Sequence, residues 1–341
     1  MGTPIGEILE RAPLDWGALD GKKIAVDAYN VLYQFLSSIR GEDGSPLMDA
    51  QGRVTSHLSG LFYRTNQWVQ KGMRPLFVFD GKPHELKSKT LSERHAIRTH
   101  AFEEHKKAVE SGDLEKARLW GSRALKLTPE MIESAKELVS FMGLPVIHAP
   151  SEGEAQMALL VSKGDAFAGA SQDYDALLFG CPRVIRNLAV TGKRKAPGKN
   201  FYVDVEPELL ELGKVLSALS ISREKLVWLA LLVGTDFNEK FPKVGPKTAL
   251  KLVQKHDSFE SIAEAVGFVP NFDYREVQGI FLKPVQSLEY STQFRPPDRE
   301  KILEFLVEEH SFSRERVEGT LDKLVSKLNE KGAQSSLSAW G

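Results

Sequence analysis

Four short apolar runs in this chain stop at acidic residues or just before them, and helix-like stretches stand between them. "KKIAVDAYN" (22–30) and "PLFVFDGKP" (75–83) are rich in strand formers, bounded by turn residues, and close on Asp27 and Asp80. "LPVIHAPSEGEA" (144–155) ends its apolar run ahead of Glu152 and Glu154, and "DAFAGASQDYDALLFG" (165–180) ends its own ahead of Asp173 and Asp175. "TSHLSGLFYRTNQWVQKG" and "PEMIESAKELVSFMG" read as helices, the second stopped by Gly143. Strands and helices alternating in this way specify an α/β fold, with a mostly parallel central sheet flanked by helices. Ligands bind such sheets beyond the carboxyl ends of the strands, so the acids of all four runs fall on one rim.

Composition bounds the partners. The 341 residues are 42% hydrophobic and 27% charged, enough for one large or two modest domains with a real core. Lys plus Arg number 45 against 46 Asp plus Glu, a net charge of −1, so any nucleic-acid signal has to be local. The single cysteine, Cys181, excludes an internal disulfide framework and a cysteine zinc site, fits a reducing compartment and reads as a core residue. The N-terminus has no secretory pattern, and the longest apolar run, "LVWLALLVG" (226–234), is too short to cross a bilayer. The expectation is a soluble intracellular protein with no membrane partner.

Local charge patterning is present. In the segment 86–126 basic residues outnumber acidic ones and few apolar residues are available to bury; its helices break near "ESGDLE". It reads either as a solvated helical face or as a basic helical insertion over the active rim. Beyond it, "SREKLVWLALLVG" is a buried helix capped by Ser222, followed by a hairpin, a helix from Pro246 and another after Asp257. Lys243, Lys247, Lys251 and Lys255 recur every fourth residue, and at least the last three share a helix face. The helix start offers backbone N–H groups to a phosphate, which the lysine stripe would extend along a strand. "TGKRKAPGKN" adds Lys193, Arg194, Lys195 and Lys199 without an acid.

Each acid alone has an ordinary explanation. Ser151 with Glu154 matches a capping box, Glu152 suits a helix N-terminus, Asp27 and Asp80 suit turns, Asp175 suits an N-cap, and Asp236 in "LLVGTDFNE" suits a loop. Together they are harder to explain that way, because seven carboxylates on one rim repel one another. Cations must offset them, and all-oxygen ligation selects hard ions such as Mg²⁺ or Mn²⁺. A pair of such ions about 4 Å apart is suited to in-line displacement at phosphorus, which points to a phosphodiesterase. Two divalent ions leave a net charge of about −3, so Lys or Arg from the basic insertion is needed before a phosphate can approach.

The stretches "VDAYNVLYQFL", "TSHLSGLFYRT", "VFDGKP", "APSEGEAQ", "SQDYDALLFG", "LVGTDFNE" and the helix-hairpin-helix, in that order, closely resemble the flap endonucleases of the XPG family of structure-specific 5′ nucleases. The wording of "SQDYDALLFG" and "TGKRKAPGKN" looks most like archaeal members. The resemblance covers nearly the whole chain and implies a PIN-like 5′ nuclease fold with a helical arch insertion and a helix-hairpin-helix region. It implies an N-terminal nuclease region over 1–98, an arch and linker over 99–128 and an internal nuclease region with the helix-hairpin-helix over 129–258. A C-terminal helical region over 259–330 and a flexible tail over 331–341 complete the chain.

The implied activity is Mg²⁺-dependent hydrolysis of a DNA phosphodiester at the base of a 5′ flap, with 5′–3′ exonuclease activity, in replication and repair. By position, Asp27, Asp80, Glu152 and Glu154 would hold a first ion and Asp173, Asp175 and Asp236 a second, Mn²⁺ being an acceptable substitute; Asp175 is also carried over as a catalytic residue. Lys87 and Arg94 match arch cations at the scissile phosphate, and Tyr33 an aromatic that stacks on a base. Arg40, Arg64, Gly234 and Gly2, together with Lys247 and Lys251 of the stripe, are the remaining expected DNA contacts. The helix-hairpin-helix of the family binds duplex DNA, often with K⁺; Lys243 stands here where a glycine is usual. Gln334, Leu337 and Trp340 resemble a sliding-clamp (PCNA) interaction box, with Gly341 where a second aromatic is expected. The implied protein is a monomer, cytoplasmic if archaeal and nuclear if eukaryotic. The rivals are a 5′ exonuclease or Holliday-junction resolvase of the same family, and a non-catalytic junction-binding scaffold.

Overall fold

The computed structural model of the chain describes residues 2–41, 45–190, 192–195 and 202–338. Its strands are β1 (Ala12–Pro13), β2 (Lys23–Asp27), β3 (Arg74–Phe79), β4 (Val146–His148), β5 (Ala168–Ala170), β6 (Arg183–Arg186), β7 (Gly192–Lys195), β8 (Tyr202–Val205) and β9 (Glu208–Glu211). Seven form one sheet in the order β1-β9-β6-β5-β2-β3-β4, and β7 pairs with β8 in a separate hairpin. From β6 through β5, β2 and β3 to β4 every pairing is parallel. Strand β9 joins β6 antiparallel and β1 joins β9 antiparallel, so the mostly parallel sheet carries an antiparallel edge.

Strand periodicity sorts the apolar runs onto two cores. Ala25, Leu76 and Val78 face one side with Ile147, Met157 and Leu160, while Ile24, Val26, Phe77 and Phe79 face the other with Phe35, Phe62 and Trp68. Burial on both faces is why these strands read as continuous apolar runs instead of alternating ones.

The helices follow the same logic. Helix α1 (Ala28–Ser38) starts at Asp27, whose carboxylate caps it by accepting the N–H of Asn30. Helix α2 (Ser56–Gln70) packs beside it on the second core. The basic insertion is a helical pair, α3 (Ser88–Glu110) and α4 (Leu114–Arg123), turning at Gly112 with Asp113 as N-cap of α4. Helix α3 buries Ala101 and Ala108 and exposes Ile97, Phe102 and Val109, as its thinly apolar sequence foretold. Helix α5 (Pro129–Phe141) returns to the second core, and α6 (Gly153–Ser162) and α7 (Asp175–Leu178) line the first.

Helix α8 (Leu212–Leu219) leads into α9 (Arg223–Val233), capped by Ser222 as expected and buried at every position from Leu226 to Val233. Helix α10 (Pro246–Lys255) is the opposite case: Ala249 and Val253 are buried while Lys247, Lys251 and Lys255 are exposed on the other face. Helices α11 (Phe259–Val266) and α12 (Tyr274–Leu282) close over the first core, and α13 (Arg299–Leu303) and α14 (Arg314–Ser338) over the second through Ile302, Val317, Leu321 and Leu324. Helix α14 carries the chain to Ser338 in helical form, past Lys331 where the sequence suggested a flexible tail. Trp340, Gly341 and Lys199 lie outside the described residues. Cys181 is fully buried, and burial pushes its thiol up to about 11. Among the described residues no helix is long and apolar enough to cross a membrane.

Candidate active site

Parallel pairing brings the ends of β2, β3, β4 and β5 to one rim. Asp27 ends β2, Asp80 follows β3, Glu152 and Glu154 open α6 after β4, and Asp173 and Asp175 follow β5. Asp236 arrives from the far side, just beyond the end of buried α9. All seven line a single cavity of about 350 Å³, shared with Gly2, Tyr33, Lys87 and Arg94. Gly2 takes a φ of +78°, and a Cβ there would stand 2.8 Å from the Cβ of Asp173, so the backbone approaches this acid as only glycine allows.

The capping box proposed for Ser151 and Glu154 does not form. The N-cap of α6 is Glu152, without a side-chain cap bond. The carboxylate of Asp80, arriving from the neighbouring strand, accepts the N–H of Gly153 at 2.7 Å instead. A long-range acid thus does what a local serine was expected to do, leaving Glu154 turned to the cavity. Asp175 likewise is not an N-cap but the first residue of α7, held by the N–H of Thr3 at 2.9 Å.

The electrostatics are those of a crowded anionic cluster. Burial, then the charges of Asp80 and Asp173, hold the Asp27 carboxyl up to about 8. Burial and Glu152 raise Asp80 to about 6, and burial and Asp175 raise Asp173 to about 6. Burial and three neighbouring aspartates place Glu154 well above the ordinary glutamate value. Asp175 is raised chiefly by burial, against the pull of its Thr3 hydrogen bond. Removing water from like charges disfavours the ionised form in each case.

Cations from the start of α3 and the turn before it answer part of this. Lys87 Nζ lies 2.6 Å from Glu152 Oε2 and 3.5 Å from Asp236 Oδ2, and an Arg94 nitrogen 2.5 Å from Asp236 Oδ1. Burial alone would lower the Lys87 ammonium, but the charge and hydrogen bond of Glu152, with Asp236 and Asp80 behind it, carry it above the ordinary lysine value. Thr90 Oγ1 donates to the Asp236 carbonyl at 2.8 Å, and Lys89 pairs with Glu239, so the foot of α3 is fastened to the loop after α9. Asp27 and Glu154, by contrast, have neutral hydrogen-bonding neighbours, Asn30 and Ser171. As the side chains stand, no three Asp, Glu, His or Cys among the described residues form a ready-made ligand set. The donor set is nonetheless all oxygen, partly buried and short of positive charge, which fits hard divalent cations.

Other expected residues lie outside the cavity. Arg40 bridges to Pro46 after α1, Arg64 sits in α2, Gly234 caps α9 with a φ of +91°, and Lys247 and Lys251 lie along α10. Arg98, which the sequence reading passed over, lines the cavity with its guanidinium 5.3 Å from the Tyr33 ring centroid. Its spacing of four from Arg94 on one helix was the available signal. Thr3, Asn30 and Ser171 were also missed, and no spacing marks them.

Buried carboxyls gathered at the C-terminal ends of parallel strands, with a lysine and an arginine reaching in from the start of the helical insertion, define a metal-dependent nuclease. The XPG N-terminal domain profile matches residues 7–101 and the XPG I-region profile residues 143–236. Flap endonuclease 1 of Pyrococcus horikoshii is 50% identical over 342 residues, covering 100% of this chain and 98% of that protein. The structure of flap endonuclease-1 from Methanococcus jannaschii superposes with a TM-score of 0.76 at 40% identity, covering 97% of this chain and 100% of that one. The catalytic core of Rad2 in complex with DNA substrate shares the fold, with a TM-score of 0.67 at 23% identity over 94% of this chain and 97% of that one. The chain belongs to the flap endonucleases of the XPG family, most like the archaeal members, and is a hydrolase of DNA phosphodiester bonds.

Proposed function

We propose that the chain hydrolyses a DNA phosphodiester at the base of a 5′ flap with two Mg²⁺ ions, and trims 5′ ends as an exonuclease, in replication and repair. The observation that carries this reading is the meeting of seven acids in one cavity under Lys87 and Arg94. Asp27, Asp80, Glu152 and Glu154 would hold one ion, and Asp173, Asp175 and Asp236 the other. Two divalent cations bound there would supply the positive charge that activates an attacking water and steadies the leaving oxygen of an in-line displacement.

The chain's own groups do the rest. Lys87 and Arg94 exchange their carboxylate partners for the scissile phosphate, and so neutralise charge where it develops. Tyr33, with Arg98 against its ring, offers a stacking surface to a base beside the cut. Lys247 and Lys251 track the duplex backbone from the exposed face of α10, whose N-terminus at Gly245 presents free N–H groups to a phosphate. Gly2, Arg40, Arg64 and Gly234 complete the DNA contacts, and the hairpin before α10 is the candidate K⁺ site. A monomer acting inside the cell and docking on a sliding clamp through Gln334, Leu337 and Trp340 accounts for the remaining motifs.

The test is a panel of end-labelled flap, nicked, blocked-end and four-way junction DNAs incubated with the chain, with and without Mg²⁺. Metal-dependent cleavage of the free 5′ flap ahead of the other substrates is expected. Preferential cleavage of the four-way junction would assign it instead to the resolvase branch.

A further inference from the structure

Two uncharged side chains stand between the acid that ends β2 and the acids that follow β5. Ser171, 4% exposed, places its Oγ 3.1 Å from Asp27 Oδ2 and 3.3 Å from Glu154 Oε1, and accepts the N–H of Asp173 at 3.2 Å. A hydroxyl carries one proton, so it donates to one of the two carboxylates at a time. Asn30 gives its backbone N–H to Asp27 Oδ1 at 2.9 Å and its Nδ2 to Asp173 Oδ2 at 3.3 Å. Its Oδ1 accepts from the N–H of Gln172 at 3.2 Å and from Gln34 Nε2 at 2.5 Å. The backbone donor fixes which end of the amide faces Asp173, because only a carbonyl oxygen can receive it.

We propose that Ser171 and Asn30 are positioning residues for divalent-cation loading. They hold Asp27, Glu154 and Asp173, which come from three separate segments, in one register before any ion arrives. A lysine in this place would compete with the incoming ion, and an acid would add to the repulsion. A neutral donor orients a carboxylate and leaves its charge available. Ser171 ties the Asp27 and Glu154 pair to the backbone of Asp173, and Asn30 spans Asp27 and Asp173. The two together therefore link the acids assigned to one ion with those assigned to the other. The inference rests on the two-ion reading above.

The test uses the full chain with Mn²⁺ as probe, in calorimetric titrations and by loss of the free Mn²⁺ electron paramagnetic resonance signal. Ser171→Ala and Asn30→Ala should each weaken Mn²⁺ binding about 10–100-fold, the range for groups that orient ligands. The Mg²⁺ midpoint for flap cleavage should rise by the same factor, while flap affinity in saturating Ca²⁺ stays at the parent value; the lost buried hydrogen bonds lower the metal-free melting temperature, so binding is compared well below each variant's melting transition. Ser171→Thr, which keeps the hydroxyl, should restore Mn²⁺ affinity. Mn²⁺ isotherms for Ser171→Ala and Asn30→Ala that superimpose on the parent's overturn the proposal, as does a Ser171→Thr chain that melts like the parent yet binds Mn²⁺ no better than Ser171→Ala. Asp175→Ala separates the two levels: a parent that takes up no Mn²⁺, or an Asp175→Ala chain that still cleaves flaps, overturns the two-ion reading and this inference with it. Parent-like Mn²⁺ uptake in the two alanine variants alone overturns only this inference.

Discussion

Gly153 and Asp80 meet so closely that a side chain on the first has no room: its Cβ would stand 2.5 Å from the Asp80 Oδ1 that accepts the Gly153 N–H. The position has an ordinary helical role, at the first turn of α6, so backbone conformation does not demand glycine there. The demand comes from the acid. Gly153→Ala should displace the Asp80 carboxylate and lower flap cleavage about 10–100-fold, the range for disturbed ligand orientation. Flap affinity in Ca²⁺ should hold. Single-turnover cleavage beside a fluorescence anisotropy titration checks it, and parent-like cleavage would show that Asp80 relaxes without cost.

The raised carboxyls make a prediction about pH. Asp27 is held up to about 8 and Asp80 and Asp173 to about 6, against an ordinary value of 3.8. Groups raised in the folded state contribute stability that is complete below the unfolded value and is lost as pH rises through the folded value. The metal-free chain should therefore melt at lower temperature as pH climbs from about 4 to about 8. His57 works the other way: burial depresses its imidazole from 6.5 to about 4, so its contribution is lost as pH falls. Between pH 6.5 and 8 His57 no longer contributes a slope, and the raised carboxyls, Asp27 among them, set its sign. Calorimetry in a chelator, on the parent and on Asp27→Asn, tests this; the slope in that window should flatten in the variant.

Lys243 sits in the left-handed region at a φ of +60°, in the hairpin that precedes α10. Glycine adopts this conformation freely, and a side chain resists it. Lys243→Gly should raise stability by up to about 1 kcal/mol, relief of left-handed strain being partly offset by the freer unfolded chain. Chemical denaturation midpoints measure it, and a destabilised variant would mean that Lys243 holds a contact stronger than its strain.

The lysines of α10 should act through charge alone. If Lys251 contacts one phosphate, Lys251→Ala should make the logarithmic salt dependence of flap affinity shallower by about 0.9. The cleavage rate at saturating enzyme should not change. Binding isotherms over a range of KCl give the slope; an unchanged slope would place the duplex elsewhere.

Much of the site was legible because its acids end strands. A parallel sheet puts consecutive strand ends on one rim, so Asp27, Asp80, Glu152, Glu154, Asp173 and Asp175 could be gathered from where the apolar runs stop. Asp236 was harder, since it reaches the cavity from the end of a helix that reads only as buried. The capping box failed for a general reason: a local pattern identifies a donor that needs a partner, and a residue from a distant strand can supply that partner first. Asn30, Ser171 and Thr3 escaped because their roles depend on which amide or hydroxyl points at which carboxylate, and no spacing along the chain encodes that. The mostly parallel sheet flanked by helices was read correctly from the unbroken apolar runs of β2 and β3 and the helices between them. The antiparallel edge was not, because β9 is short and polar at both ends.

Helix α9 is enclosed by apolar neighbours along its inner length, and Asp236 hangs just past its end. Such a rod has no loose surface on which to slip, so this acid keeps its place as long as the interior stays packed. If Asp236 serves the proposed reaction, flap cleavage on warming should fail at the melting transition and not before it, giving catalysis and folding one shared thermal ceiling.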